Sequence, residues 1–151
     1  TLDRALAEGD GLLWNVEIKT PAALGATLDV AGDWRATRRL LVTSFWHPLV
    51  VPFADLGLET GLLLASRPLG RGALAALLPP GGRVRTLVWD YEILDGELCE
   101  MAAGWGVRSL VYGAKTAGEH RRCLGLEAAG LAGIITDHLE FLPSPGRAGG
   151  R

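Results

Sequence analysis

The sequence is short of most features that would assign it to a special class. Its 151 residues hold 2 cysteines, too few for a disulfide framework, so a packed core has to hold the fold. Cys99 and Cys123 stand among neighbours of helical type (Leu98, Glu100, Arg122, Leu124), and a reduced, cytoplasmic setting is the expectation. Charge of either sign is not in excess. The net charge is −2 and the basic residues are scattered, which leaves out the electrostatic footprint of a nucleic-acid or anionic-membrane binder. Long apolar runs are missing too. Runs such as Gly61 to Ala65 and Ala73 to Leu78 fall far below the ~20 residues that a bilayer-spanning helix needs. The N-terminus shows no basic-then-apolar signal pattern, so neither nucleic acid nor membrane insertion is expected. Nor is there an initiator methionine: the chain opens on Thr1, as an excised, processed or incomplete product would.

What is present is ordinary globular material, 48% hydrophobic and 21% charged, enough to bury a core. One domain over residues 1–142 is expected. A flexible tail follows over 143–151, where proline, serine and repeated glycine leave little to bury. Six β-rich runs recur: Leu12 to Lys19, Leu40 to Phe45, Gly61 to Ser66, Thr86 to Tyr91, Ser109 to Ala114 and Gly133 to Thr136. Their spacing of ~20 to 27 residues is the cadence of a parallel sheet built from βα units. Apolar-periodic segments fill the gaps and read as helices: Pro21 to Ala31, Pro48 to Leu56, Gly72 to Leu78, Asp95 to Trp105 and Thr116 to Ala129. Thr20-Pro21 starts one with proline in its first turn, and Pro79-Pro80-Gly81-Gly82 stops another.

Six βα units allow an open doubly wound sheet or part of an eight-stranded barrel. A complete (βα)8 barrel needs about 250 residues, so this length suits an α/β, incomplete TIM-type barrel of about six units. Such a sheet keeps two open edges.

The sharpest local signal is Trp14-Asn15-Val16-Glu17-Ile18-Lys19-Thr20-Pro21. Side chains two apart share a face of a strand, so Asn15, Glu17 and Lys19 point together while Val16 and Ile18 point to the helices. A buried parallel sheet is apolar on both faces. A carboxylate and an ammonium at the carboxyl end of its strand therefore sit where barrel enzymes place their chemistry. Glu17 would suit a hard cation and Lys19 a phosphate oxygen; a solvated pair at an open edge is the other reading.

Three weaker signals follow. In Thr43-Ser44-Phe45-Trp46-His47-Pro48, Thr43 or Ser44 can cap the next helix and the aromatic pair can wall a pocket or pack on the core. His47 has no visible partner and reads as a helix-start residue rather than a base. In Gly130 to Asp137, a helix stop precedes a short strand, and Asp137 reads as the cap of the next turn. Gly70-Arg71-Gly72-Ala73-Leu74-Ala75, with Asp90 beyond it, imitates a dinucleotide fingerprint but stands too far past its strand for the tight turn that motif needs.

Taken in order, these pieces resemble the glycerophosphodiester phosphodiesterase family of (βα)8 barrels over Thr1 to Leu142. Thr1-Leu2-Asp3-Arg4-Ala5-Leu6 looks like the helix ahead of that family's third strand. Asn15-Val16-Glu17-Ile18-Lys19 matches its metal-binding E-x-K strand, Ser44-Phe45 the next strand end, and Val107 to Leu142 its closing strand, helix and G-I-I-T-D strand.

The resemblance implies metal-dependent hydrolysis of glycerophosphodiesters to glycerol 3-phosphate and an alcohol, with histidine as general acid/base and Mg²⁺ or Ca²⁺ as cofactor. It makes Glu17 a metal ligand and Lys19 a phosphate contact, and sets Phe45 and Tyr112 to shape the pocket. The family's H-R-G strand, P-E-N-T stretch, E-x-D strand and H-D pair are not in this sequence. Its W-T-V-N strand is altered to Tyr112-Gly113-Ala114-Lys115, and none of His47, His120 and His138 falls on a catalytic position. With one carboxylate for a metal that needs several oxygens, the chain alone is expected to be inactive. The alternative is a catalytically dead scaffold or interaction protein that pairs with another chain, or with itself as a homo-oligomer, through its open edges.

Overall fold

The structure, a computed structural model, describes residues 1–8 and 11–143. Helix α1 (Leu2–Ala7) starts where the Thr1 hydroxyl accepts the Arg4 N–H at 3.3 Å, a side-chain cap for an otherwise orphan donor. There follow β1 (Leu13–Glu17), α2 (Leu24–Trp34), β2 (Arg39–Ser44), α3 (Val51–Asp55), β3 (Glu59–Leu64), α4 (Arg71–Leu77), β4 (Thr86–Asp90), α5 (Gly96–Ala103), β5 (Arg108–Tyr112), α6 (Ala117–Leu124) and β6 (Leu131–Ile135). Sheet order follows chain order from β1 to β6, as successive βα units dictate.

All six expected strands are present. Each stops one or two residues short of its expected carboxyl end, so Lys19, Phe45, Tyr91 and Ala114 lie beyond the ladder. The helices depart further from expectation. The prolines at 21 and 48 open 3₁₀ turns, Pro21–Ala23 and His47–Val50, before the α-helices begin. Helix α2 then runs past Ala31 to Trp34. At the other end, α6 stops at Leu124 because Gly125 breaks it, and the 3₁₀ turn Glu127–Ala129 takes the rest of the expected helix. Gly130 closes that turn at φ +105, where any other residue would be strained. Of the expected tail only Pro143 is among the described residues; 144–151 lie outside them.

The chain divides into two compact units, Thr1–Val88 and Trp89–Arg151. In the first, β1 and β2 run parallel with Val16 opposite Val42 and Glu17 opposite Thr43, and β3 continues the ladder with Gly61 opposite Thr43. Leu6, Val16, Ile18, Ala31, Val42 and Phe53 form its core, each large apolar side chain contributing about 1.5–3 kcal/mol by leaving water. Trp34 ties α2 to α1 by donating its indole N–H to Asp3 Oδ1 at 2.8 Å.

In the second unit β5 and β6 run parallel, Val111 opposite Ile134, with an irregularity between Ser109 and Leu110. Trp89, Leu98, Cys99, Val111 and Cys123 are buried there. Trp89 donates its indole N–H to Ser109 Oγ at 3.1 Å, so this fully buried pair leaves neither group unpaired. The caps of its helices are written in the sequence. The Asp95 carboxylate accepts the Leu98 N–H at 3.0 Å, and Thr116 with Glu119 forms a capping box.

Candidate functional site at the strand carboxyl ends

The alternation expected for β1 is observed. Val16 and Ile18 are buried in the core, whereas Asn15, Glu17 and Lys19 are exposed on the opposite side. Lys19 Nζ lies 3.9 Å from Glu17 Oε2, with side chains 76% and 33% exposed. This spacing holds a cation beside a carboxylate without closing a full hydrogen bond, so both groups keep capacity for a ligand.

Sequence neighbours fix that rim. Past the last residue of β1, the Ile18 N–H donates to Thr43 O at 2.8 Å, and the Ser44 hydroxyl donates to Ile18 O at 2.6 Å. The same Ser44 oxygen accepts the Trp46 N–H at 3.0 Å. Ser44 thus clamps the ends of β1 and β2 and shapes the turn after β2. Thr43, fully buried, donates instead to Asn15 Oδ1 at 3.0 Å. Below it, a Cβ on Gly61 would lie 3.3 Å from both Thr43 Cγ2 and Val88 Cγ2, so glycine lets the inner face close under the rim.

The aromatic pair after β2 does not pack into the core: Phe45 is 45% and Trp46 58% exposed. Phe45 is one wall of an open recess of about 420 Å³ at the carboxyl ends of β2 and β3. His47 opens the 3₁₀ turn, and its Nε2–H donates to Leu63 O at 3.0 Å, a bond that holds the ring as a structural brace.

Glu17, Lys19 and Phe45 belong to the first unit, and Tyr112 to the second. Tyr112 ends β5, and its carbonyl accepts the Tyr91 N–H at 2.9 Å. At the end of β4, Asp90 accepts the Glu92 N–H on Oδ1 at 2.9 Å. A Cβ on Gly113 would come within 3.9 Å of the same oxygen, so Asp90 stands beside the backbone that follows Tyr112. In the sequence, Asp90 stands out only as part of the dinucleotide imitation. Its signal was there to read, since β4 ends in a carboxylate just as β1 does. The imitation itself has no tight turn, because residues 65–70 separate β3 from α4.

The other two histidines brace the second unit. His120 is buried; its Nδ1–H donates to Thr116 O at 2.8 Å, and its Nε2 accepts the Thr136 hydroxyl at 2.8 Å. Thr136 Oγ1 accepts the His138 N–H at 2.9 Å, so Thr136 rather than the exposed Asp137 shapes the turn after β6. His138 stacks on Phe141 and meets Glu140 Oε1 at 3.1 Å. Glu140 is held below its ordinary value by its own backbone N–H and then by His138. Neither cysteine is a ready nucleophile. Burial pushes the Cys99 thiol up to about 11 and raises Cys123 as well, whereas a reactive thiol needs the opposite shift.

The residues present do not complete a hard-cation site. Among the described residues, no three His, Cys, Asp or Glu side chains are grouped to hold a metal ion. Mg²⁺ and Ca²⁺ take six or more oxygens, and Glu17 supplies one carboxylate.

No family profile and no curated protein sequence matches the chain. Solved structures do. A glycerophosphodiester phosphodiesterase from Parabacteroides distasonis superposes with a TM-score of 0.66 at 16% identity, over 92% of this chain and 60% of its own. One from Thermotoga maritima gives 0.61 at 21% identity, over 83% and 54%. An Oleispira antarctica phosphodiesterase in complex with its product sn-glycerol-3-phosphate gives 0.62 at 17% identity, over 82% and 51%. The fold is therefore that of part of a TIM-type α/β barrel of the kind these phosphodiesterases have. The chain spans about half to three-fifths of their length.

Proposed function

We propose that this chain is the carboxyl-terminal part of a glycerophosphodiester phosphodiesterase domain. Its family function is the metal-dependent hydrolysis of glycerophosphodiesters to glycerol 3-phosphate and an alcohol, in lipid and glycerol metabolism. The observation that carries this reading is Glu17 beside Lys19 at the carboxyl end of β1, on the face turned from the core, in a chain with the fold of such enzymes. Glu17 would give one oxygen to a divalent cation, Mg²⁺ or Ca²⁺, which when bound would polarise the phosphoryl group. Lys19 would neutralise a phosphate oxygen of the small-molecule diester, and Phe45 would border its organic groups.

On this reading the 151 residues alone do not turn over substrate, because the other metal oxygens and the histidine acid/base are not among them. Two free, buried thiols suit a reducing, cytoplasmic setting, and among the described residues no helix is long and apolar enough to cross a membrane. The test is the coding sequence upstream of Thr1, together with an assay of the purified chain on glycerophosphocholine with Mg²⁺ or Ca²⁺. An upstream frame encoding H-R-G and E-x-D, with no turnover by the chain alone, is expected. A start codon immediately before Thr1 or robust turnover would overturn the reading.

A second reading, a catalytically dead scaffold pairing through sheet edges, draws on β1 and β6 ending the strand order and on Leu13 of β1 being exposed. Unpaired edges template a further strand. A monomer by size-exclusion measurement would count against it.

A further inference from the structure

Asn15 is the single asparagine of the sequence, which has no glutamine, so it carries the chain's one carboxamide side chain. It stands on β1, on the exposed face that also holds Glu17 and Lys19, about 6.6 Å along the strand from Glu17 at the rise of two residues. A solvated strand position accepts many polar residues. In a chain that uses no other carboxamide, the place of this one calls for a role.

Thr43 fixes how the amide faces. It lies opposite Glu17 in the register of β1 and β2, is fully buried, and donates its hydroxyl to Asn15 Oδ1 at 3.0 Å. A β-branched side chain is stiff about its first torsion, and the Thr43 methyl sits where a Cβ on Gly61 would meet it at 3.3 Å. The hydroxyl is therefore held in place. With Oδ1 turned to Thr43, the amide nitrogen turns from it, and its two N–H donors have no partner among the described residues.

The order of groups along this face decides what the donors meet. It runs from the neutral amide of Asn15, through the Glu17 carboxylate, to the Lys19 ammonium 3.9 Å from Glu17 Oε2. A phosphate oxygen is drawn to Lys19, whereas beside Asn15 it would meet the Glu17 charge with no cation to offset it. A neutral hydroxyl oxygen carries no such cost and accepts an amide N–H. We infer that Asn15 binds a hydroxyl of the ligand's polyol group and that Thr43 positions it, so that this face selects hydroxylated phosphate esters over their deoxy counterparts. The inference rests on the phosphodiester reading of Glu17 and Lys19 and adds a specificity residue to it.

The single carboxamide makes the test direct. In the isotope-labelled 151-residue chain, Asn15 gives the one pair of carboxamide N–H signals. That pair is followed by NMR as glycerol 3-phosphate is added, or propyl phosphate, its analogue without hydroxyls, and calorimetry gives each Kd. Glycerol 3-phosphate should bind about three- to tenfold more tightly, the worth of one hydrogen bond, and should shift the pair, which propyl phosphate leaves in place. Asn15→Ala should remove the preference and leave propyl phosphate affinity unchanged, which also checks folding. Thr43→Val, which keeps the shape and loses the hydroxyl, should narrow the preference, and Thr43→Ser should restore it. Lys19→Met should weaken both phosphates. If it does, but the unaltered protein binds the two equally or the preference survives Asn15→Ala, the inference is overturned and the phosphodiester reading stands. If neither phosphate binds, or Lys19→Met weakens neither, the phosphate role of Lys19 fails and this inference fails with it.

Discussion

Ser44 and Ile18 are joined by a 2.6 Å hydrogen bond from hydroxyl to carbonyl, and this one contact sets where the ends of β1 and β2 stand. Serine does what a ladder hydrogen bond can no longer do where the two strands have ended. Its oxygen also receives the Trp46 N–H, so one buried hydroxyl satisfies two backbone groups. Ser44→Ala should therefore cost about 1–3 kcal/mol, the range for leaving buried partners unsatisfied. Urea unfolding measures it. A change below a few tenths of a kcal/mol would show that the rim does not depend on this clamp.

The Glu17–Lys19 pair calls for the opposite outcome. Both side chains are partly in water and 3.9 Å apart, and such pairs contribute about 0–1 kcal/mol. Glu17→Gln should leave the melting temperature nearly unchanged. In a longer protein that hydrolyses glycerophosphodiesters, the same substitution should lower divalent-dependent turnover by a hundredfold or more, since a neutral amide is a poor ligand for a hard cation. A large loss of stability with activity retained would make Glu17 a structural residue.

These contrasting expectations mirror what the sequence makes legible. The β1 alternation is local, and Val16 and Ile18 against Glu17 and Lys19 could be read from period two alone. Strand positions were legible for the same reason, each β-rich run having a glycine- or proline-bearing turn on at least one side. Helix ends were less so, because distant partners decide them. Helix α2 reaches Trp34, whose indole bonds Asp3, 31 residues away in sequence. His120 gave no local sign that its ring would sit between Thr116 and Thr136. Asp90 marks the same limit: its place at the carboxyl end of β4 is legible, but nothing near it in sequence shows that it will stand beside Gly113.

Thiol chemistry gives a prediction in the second unit. Cys99 lies on α5 and Cys123 on α6, both buried, and burial holds the Cys99 thiol up at about 11. Since the thiolate is the reactive form, an aromatic disulfide reagent at pH 8 should label neither cysteine in the native protein and both in urea. The labelling rate then reports opening of this unit. Rapid stoichiometric labelling without denaturant would show that these helices do not bury their sulfurs.

Acid should weaken the start of α6 through Glu119. Its carboxylate accepts the N–H of Lys115 at 2.6 Å and of Thr116 at 3.0 Å, and the Lys115 bond foremost holds it below its ordinary value of 4.5. A carboxyl whose folded value is depressed adds stability that is fully present above the unfolded value and lost as pH falls through the folded one. Native protein should therefore lose this contribution below pH 4.5. Glu119→Gln should lower stability at neutral pH and remove part of the acid dependence, because the amide cannot lose a charge. Thermal melts of both proteins between pH 6 and pH 3 read the difference. Parallel curves across that range would show that the capping box works through geometry alone and that its charge contributes nothing.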